Sequence, residues 1–124
     1  MRNPARYILA ASAVAVTLGA LASAPQPAAA AEEMSVIEQG KKIAFNRKKG
    51  NCLACHQIEG GELAGNIGPP LVAMKQRFDS PDEIRKQLYN PMVKNPNSMM
   101  PPFGKHNILT DKELDKVVKF VWTL

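Results

Sequence analysis

Cys52-Leu53-Ala54-Cys55-His56 is the stretch that decides the fold of this 124-residue chain. It reads C-x-x-C-H, the spacing at which two thiols attach a porphyrin and the adjacent histidine ligates its iron. The motif contains both cysteines of the sequence, so none is left for another disulfide. Cys52, Cys55 and His56 are therefore the candidate residues for one covalent haem c, and they predict one-electron chemistry.

Two other interpretations of the cysteine pair fit less well. A redox dithiol expects a thioredoxin-like βαβ setting, but the preceding stretch is rich in lysine and ends Lys49-Gly50-Asn51. A zinc site needs two more ligands. The sequence offers only His56 and His106, and adjacent Cys55 and His56 make poor tetrahedral geometry.

Residues 1–30 have the features of a secretory signal peptide, with cleavage expected near Ala30 or Ala31. Arg2 and Arg6 precede an apolar run over 7–21, which is shorter than the ~20 residues of a spanning helix. Because of this short run we expect no membrane anchor, and because no cysteine lies near the cleavage site we expect no lipid anchor. Residues 31–124 are predicted to form one periplasmic domain.

The composition of this domain limits its partners and its core. Without Arg2 and Arg6 the chain has 14 basic and 11 acidic residues. This small excess, the export signal and the lack of a binding motif argue against nucleic acid as a partner. About 94 residues bury only a modest core, and the chain has one Trp and four Phe. A covalent haem would enlarge that core.

Three capping patterns predict three helices. They start at Ser35 with Glu38, at Ser80 with Glu83, and at Thr110 with Glu113. The first helix is predicted to end near Phe45, the second at Asn90-Pro91, and the third near the C-terminus. No strand pattern competes, so the predicted class is all-α. Two long irregular stretches, 57–71 and 90–107, separate the helices, and loops of this length are usually functional or disordered.

The order of these features resembles class I c-type cytochromes. The features are an N-terminal helix, C-x-x-C-H, Gly68-Pro69-Pro70-Leu71, a Met-Pro loop and a C-terminal helix. The resemblance implies a single domain of three or more helices around the haem, with Gly40 in contact with the 118–122 end of the last helix. It also implies that the Pro69 carbonyl accepts a hydrogen bond from the His56 ring, which would orient the ligand. The alternative is that Pro69-Pro70 is only a stiff turn.

A narrower resemblance is to SoxX, the monohaem subunits of SoxAX cytochromes. It rests on Gly50 to His56, Asn66 to Leu71, Asn95-Pro96-Asn97, Met100 to Gly104, and Ile108 to Leu124. It implies a heterodimer with a SoxA-like haem subunit, a SoxYZ-like carrier protein and a downstream cytochrome acceptor. The complex would act as an L-cysteine S-thiosulfotransferase on thiosulfate. This chain would transfer electrons and hold no catalytic residue.

Met100 is the predicted sixth ligand of the iron. It precedes Pro101-Pro102 in the loop before the last helix and matches the ligand position of the family. Thioether coordination raises the potential of haem iron, which suits a subunit that accepts electrons from sulfur. Other methionines and a histidine are available as alternatives, namely Met74, Met92, Met99 and His106.

A run of basic residues precedes Cys52 and allows two interpretations. It is either a solvated face or a surface that steers acidic partners towards the haem edge; in a SoxAX complex part of it could face SoxA. Its members are Lys41, Lys42, Arg47, Lys48 and Lys49.

The rival function is a free-standing cytochrome c shuttle for an oxidase or peroxidase. A gas-binding haem protein would need an open sixth coordination site on the iron. The predicted Met100 ligand would fill that site, which argues against this third function.

Overall fold

The computed structural model describes residues 28–124. Within this range the chain forms four α-helices, α1 (Ala28–Phe45), α2 (Met74–Arg77), α3 (Pro81–Tyr89) and α4 (Asp111–Val121). Two 3₁₀ turns lie at Cys52–Ala54 and Pro91–Val93, and residues 28–124 contain no strand. The predicted all-α class is confirmed. Most of the predicted signal peptide, residues 1–27, lies outside the described residues.

The first helix begins earlier than the capping pattern predicted. α1 starts at Ala28, seven residues before Ser35, so the predicted cap at Ser35 is wrong. The Ser35 hydroxyl instead accepts a hydrogen bond from the Gln39 side chain, at 3.3 Å, within the helix. Alanines and glutamates precede Ser35, and their high helix propensity extends the helix through it. The predicted end at Phe45 is confirmed.

α1 and α4 pack closely against each other, and Gly40 lies at their contact. A Cβ atom on Gly40 would overlap the Lys116 carbonyl oxygen and approach the Phe120 Cβ at 2.9 Å. The predicted approach of Gly40 to Phe120 is thus confirmed, and Lys116 is an additional contact. Five residues further along α1, the Phe45 ring meets the Phe120 ring edge-on, with the ring centroids 6.0 Å apart. The absent side chain at Gly40 therefore sets the distance between the two helices.

α3 has the predicted bounds but not the predicted cap. Pro81 occupies the first helical position, where its missing N–H costs nothing, and Asn90 ends the helix. Ser80, however, makes no side-chain cap hydrogen bond, so the predicted capping box is wrong. The Glu83 carboxylate instead accepts from the backbone N–H of Asp79, at 3.4 Å. The N-terminus of α3 is stabilised mainly by Pro81 and the acidic first turn.

α4 has the predicted capping box and the predicted apolar stripe. The Thr110 hydroxyl accepts from the Glu113 backbone N–H, and the Glu113 carboxylate accepts from the Thr110 backbone N–H. The apolar face of the helix is buried, including Leu114 and Val117, which are fully buried. On the outer side, Arg85 of α3 forms ion pairs with Asp111 and Asp115. α4 is therefore the helix against which both α1 and α3 pack.

The connections between helices are long and mostly irregular. The short helix α2 was not predicted, because four residues give too little periodicity to detect. Its first backbone N–H, on Met74, donates to the Leu124 carbonyl at 2.8 Å, which joins the connection to the end of the chain. Between residues 28 and 124, no helix has both the length and the apolar character needed to cross a bilayer.

Candidate functional site

A cavity of about 860 Å³ lies between the Cys52–His56 segment and the Met100 loop. This volume is in the range of sites that bind small molecules and cofactors. Its wall includes five residues of the hydrophobic core, so one side of the cavity is formed by the core itself. These are Met74, Ile84, Leu88, Phe103 and Val121. A flat apolar group in this cavity would complete the core.

The thiol-bearing turn places three of the predicted residues together. Asn51 has a left-handed backbone, with φ of 47°, and leads into the 3₁₀ turn. The His56 N–H then donates to the Cys52 carbonyl at 2.9 Å, which closes the turn. Cys52, Cys55 and His56 all line the cavity. The three residues, close in sequence, therefore form part of the same cavity wall.

The environment of Cys52 argues against a redox dithiol. Burial, with a smaller contribution from the neighbouring Cys55, raises the pKa of the Cys52 thiol to about 11. A catalytic dithiol needs a lowered pKa, because the thiolate is the reactive form. Cys52 remains a neutral thiol at neutral pH, which leaves the haem interpretation as the better fit.

The His56 imidazole is held in a defined tautomer. Its Nδ1 lies 2.7 Å from the Pro69 carbonyl oxygen. Because a carbonyl can only accept, Nδ1 carries the proton and the lone pair belongs to Nε2. Gly68 packs against the ring, and a Cβ atom there would overlap it. The Gly68-Pro69 segment therefore fixes the ring and leaves Nε2 available to a metal.

Met100 and Met99 both line the cavity but differ in exposure. Met100 is half-buried, packs against the core and donates its backbone N–H to the Ser98 hydroxyl at 3.2 Å. Met99 is 79% exposed. Met74 also lines the cavity but is buried in the core, whereas Met92 and His106 are absent from its wall. Of the three methionines on the cavity wall, Met100 is the half-buried one, whereas Met74 is buried in the core and Met99 is largely exposed.

Arg77 is a cavity residue that the sequence did not reveal. Its Nη1 donates to the Pro70 carbonyl at 2.8 Å and lies 3.6 Å from the Met74 sulfur. Arg77 therefore fixes the position of Pro70. The neighbouring Pro69 carbonyl accepts the hydrogen bond from the His56 ring. No motif marks Arg77, because its approach depends on the fold of an irregular connection.

The donor set and the wall fit a haem c. Two thiols, an imidazole with a free Nε2 and a thioether meet at one largely apolar cavity. Thiols supply the covalent attachment, and nitrogen and thioether sulfur are the axial ligands typical of cytochromes c. The fold and this cavity define a class I c-type cytochrome.

Comparison with known proteins agrees with this class. Residues 28–121 match the family described as cytochrome c oxidase, cbb3-type, subunit III. The chain belongs to this cytochrome c family, which implies covalently bound haem c.

One solved structure and one curated relative are also similar to the chain. A chain of SoxXA from P. pantotrophus is 28% identical, with a TM-score of 0.63 over 69% of this chain and 79% of that one. This similarity confirms the predicted resemblance to SoxX. An uncharacterized lipoprotein of Aquifex aeolicus (strain VF5) is 33% identical over 95 residues, 73% of this chain. The chain spans 46% of the length of that relative.

Proposed function

We propose that this chain is the electron-transfer haem subunit of a periplasmic SoxAX-type complex. The observation that carries the proposal is the cavity at which two thiols, the His56 imidazole and the Met100 thioether meet. The similarity to a chain of SoxXA directs the proposal to a heterodimer with a SoxA-like subunit. The predicted signal peptide supports the periplasmic location.

In this proposal Cys52 and Cys55 would hold one haem covalently, and His56 and Met100 would ligate its iron. The haem supplies a one-electron couple when bound. The Pro69 carbonyl keeps the proton on Nδ1 of His56, so that the lone pair of Nε2 would be free to bind the iron and would be a stronger donor. The apolar wall excludes water and the Met100 thioether favours the reduced state, so both raise the reduction potential.

The chain accepts electrons but does not perform the sulfur chemistry. Both of its cysteines belong to the C-x-x-C-H motif, so the sequence offers no third thiol as a nucleophile. Joining the outer sulfur of thiosulfate to a carrier thiol forms one S–S bond and releases two electrons and one proton. We assign that step to the SoxA-like subunit. This chain takes the electrons singly and passes them to a downstream cytochrome.

Reconstitution of the purified components tests the proposal. The assay mixes this chain, the SoxA-like subunit of the same organism, the SoxYZ-like carrier and an oxidised cytochrome acceptor, and measures carrier-bound thiosulfate by mass. The mixture should form the conjugate, and this chain alone should not. Activity of the chain alone, or none in the complete mixture with intact haems, would refute the proposal.

A free-standing shuttle for an oxidase is the second candidate. The name of the matching family, an oxidase subunit, favours it. Purification from the native organism separates the two candidates. A SoxX-like subunit should elute together with a larger haem protein, whereas a shuttle should elute alone.

A further inference from the structure

Tyr89 contacts the segment that follows Met100 at two adjacent residues. Tyr89 is the last residue of α3, and its carbonyl accepts a hydrogen bond from the Lys105 N–H at 3.0 Å. Its ring lies against Gly104, where a Cβ atom would overlap the ring and approach its Cε2 atom at 2.8 Å. Tyr89 therefore joins the end of α3 to residues 104–105 through both its backbone and its side chain.

The contact with the Tyr89 ring explains why residue 104 is a glycine. The backbone of Gly104 has no positive φ, unlike that of Gly60, so a left-handed conformation is not the reason. Gly104 is buried, whereas the ring that lies against it is 44% exposed. The half-exposed ring therefore helps to shield this stretch of backbone from solvent, and it occupies the space that a side chain at position 104 would need.

Residues 101–109 make few backbone hydrogen bonds to the rest of the described chain. Pro101 and Pro102 have no N–H to donate. The N–H groups of three later residues donate to carbonyls of the same stretch. Lys105 is the residue of this stretch whose backbone N–H reaches another element, and its acceptor is Tyr89. The contact with Tyr89 is therefore the attachment of this stretch to α3.

The chain between Met100 and this attachment is short and stiff. Met100 is half-buried on the cavity wall, and Pro101 and Pro102, whose rings restrict φ, follow it directly. Phe103 is buried in the core and also lines the cavity. A displacement at Gly104 therefore passes through few flexible bonds before it reaches Met100.

We propose that Tyr89 is a positioning residue for Met100, because its contacts with Gly104 and Lys105 keep the thioether at the cavity wall. The inference rests on the part of the proposed function that makes Met100 an iron ligand. Tyr89 does not line the cavity, so it acts through the segment after Met100 and not by contact with the cofactor. Loss of the ring loosens that segment, and the thioether then competes less well with an added ligand for the iron.

Imidazole binding to the haem-loaded ferric chain tests the inference, because imidazole must displace the thioether from the iron. The Kd for imidazole is measured from the haem absorption spectrum. Tyr89→Ala removes the ring but keeps the backbone carbonyl, and its Kd should be at least about fivefold lower than that of wild type. Tyr89→Phe keeps the ring against Gly104 and should bind imidazole as wild type does.

Gly104→Ala tests the same contact from the other side. Its Cβ would overlap the Tyr89 ring, so the ring or the loop must move and the Kd for imidazole should fall. In the Tyr89→Ala background the ring is absent, and Gly104→Ala should have a much smaller effect. Equal effects in the two backgrounds would show that Gly104 and Tyr89 act independently and would overturn the inference.

Gly40→Ala separates positioning from a general loss of stability. Gly40 lies at the contact between α1 and α4, where an added Cβ destabilises the fold, and its Kd for imidazole should equal that of wild type. An unchanged Kd in Tyr89→Ala, or the same decrease in Gly40→Ala, would overturn the inference while the proposed function stands. A wild-type chain without the near-infrared sulfur-to-iron band would overturn the inference together with the assignment of Met100 as a ligand.

Discussion

Met100 and Met99 are neighbours in the sequence but have different surroundings. Met100 packs against the core from one wall of the cavity, whereas Met99 is largely exposed. Met100→Ala should therefore open the iron, abolish the weak near-infrared sulfur-to-iron band and lower the reduction potential by a large part of the ~0.8 V range that axial ligands command. Met99→Ala should change neither quantity appreciably. The reverse pattern in a redox titration would show that the ligand is Met99.

At the residue scale, the site could be predicted where local sequence determines it. Cys52, Cys55 and His56 are close in sequence, and the structure places them on one turn. The Pro69 contact came from a family resemblance, and the structure shows the hydrogen bond. Arg77 was missed because its hydrogen bond to Pro70 depends on the path of an irregular connection.

The contact between α1 and α4 depends on the absence of a side chain at Gly40. Alanine should gain about 1 kcal/mol in helix propensity, but its Cβ would overlap the rigid carbonyl of Lys116. Overpacking costs about 1–3 kcal/mol, and the backbone contact places Gly40→Ala at the high end of that range. Its denaturant midpoint should therefore be lower than that of wild type.

Gln39→Ala is the control for Gly40→Ala, since Gln39 is exposed on the same helix. It should change the free energy of unfolding by no more than about 0.5 kcal/mol. A stabilised Gly40→Ala variant would show that helix propensity outweighs the contact, contrary to the structure.

Glu113 makes the stability of α4 dependent on pH. Its carboxylate pairs with Lys49 and accepts from Thr110, which lowers its pKa from 4.5 to about 2. A carboxylate with a lowered folded-state pKa stabilises the protein above its unfolded-state pKa. This contribution should be lost as the pH falls from about 4.5 to about 2. It should amount to about 1 kcal/mol, because solvent screens the half-exposed Lys49.

Glu113→Gln isolates the charge, because glutamine also serves in a capping box. The difference in unfolding free energy between wild type and Glu113→Gln should be constant above pH 5 and should disappear near pH 2. Glu59→Gln, at an exposed glutamate of the 57–71 connection, is the control and should show no such difference. A wild-type advantage that persists at pH 2 would contradict the assignment.

At the element scale, capping patterns predicted the helices better than they predicted the caps. The Thr110 pattern forms as expected, because Thr110 has an extended backbone and the helix begins at the next residue, Asp111. Ser35 lies inside a helix, since the residues before it are themselves strong helix formers. Ser80 precedes a helix correctly predicted from Pro81, yet its hydroxyl makes no cap bond. A capping pattern thus predicts where a helix can start, and the residues that precede the pattern decide whether the helix starts there.

At the scale of the whole molecule, the core is built around the cavity. Five buried core residues line it, so an apolar cofactor and the protein core form one apolar unit. This agrees with the small core expected of a short chain with few aromatic residues. The size and position of the cavity could not be predicted, because they depend on how the two irregular connections fold between the helices.

The central claim is that Cys52 and Cys55 hold one haem covalently in this cavity. Acid–acetone extraction of the purified protein, followed by a haem count on the precipitate, tests it most directly. We predict one haem per chain in the precipitate and a colourless supernatant, with no haem retained by the Cys52→Ser, Cys55→Ser double variant. A red supernatant over a colourless wild-type precipitate would contradict the claim.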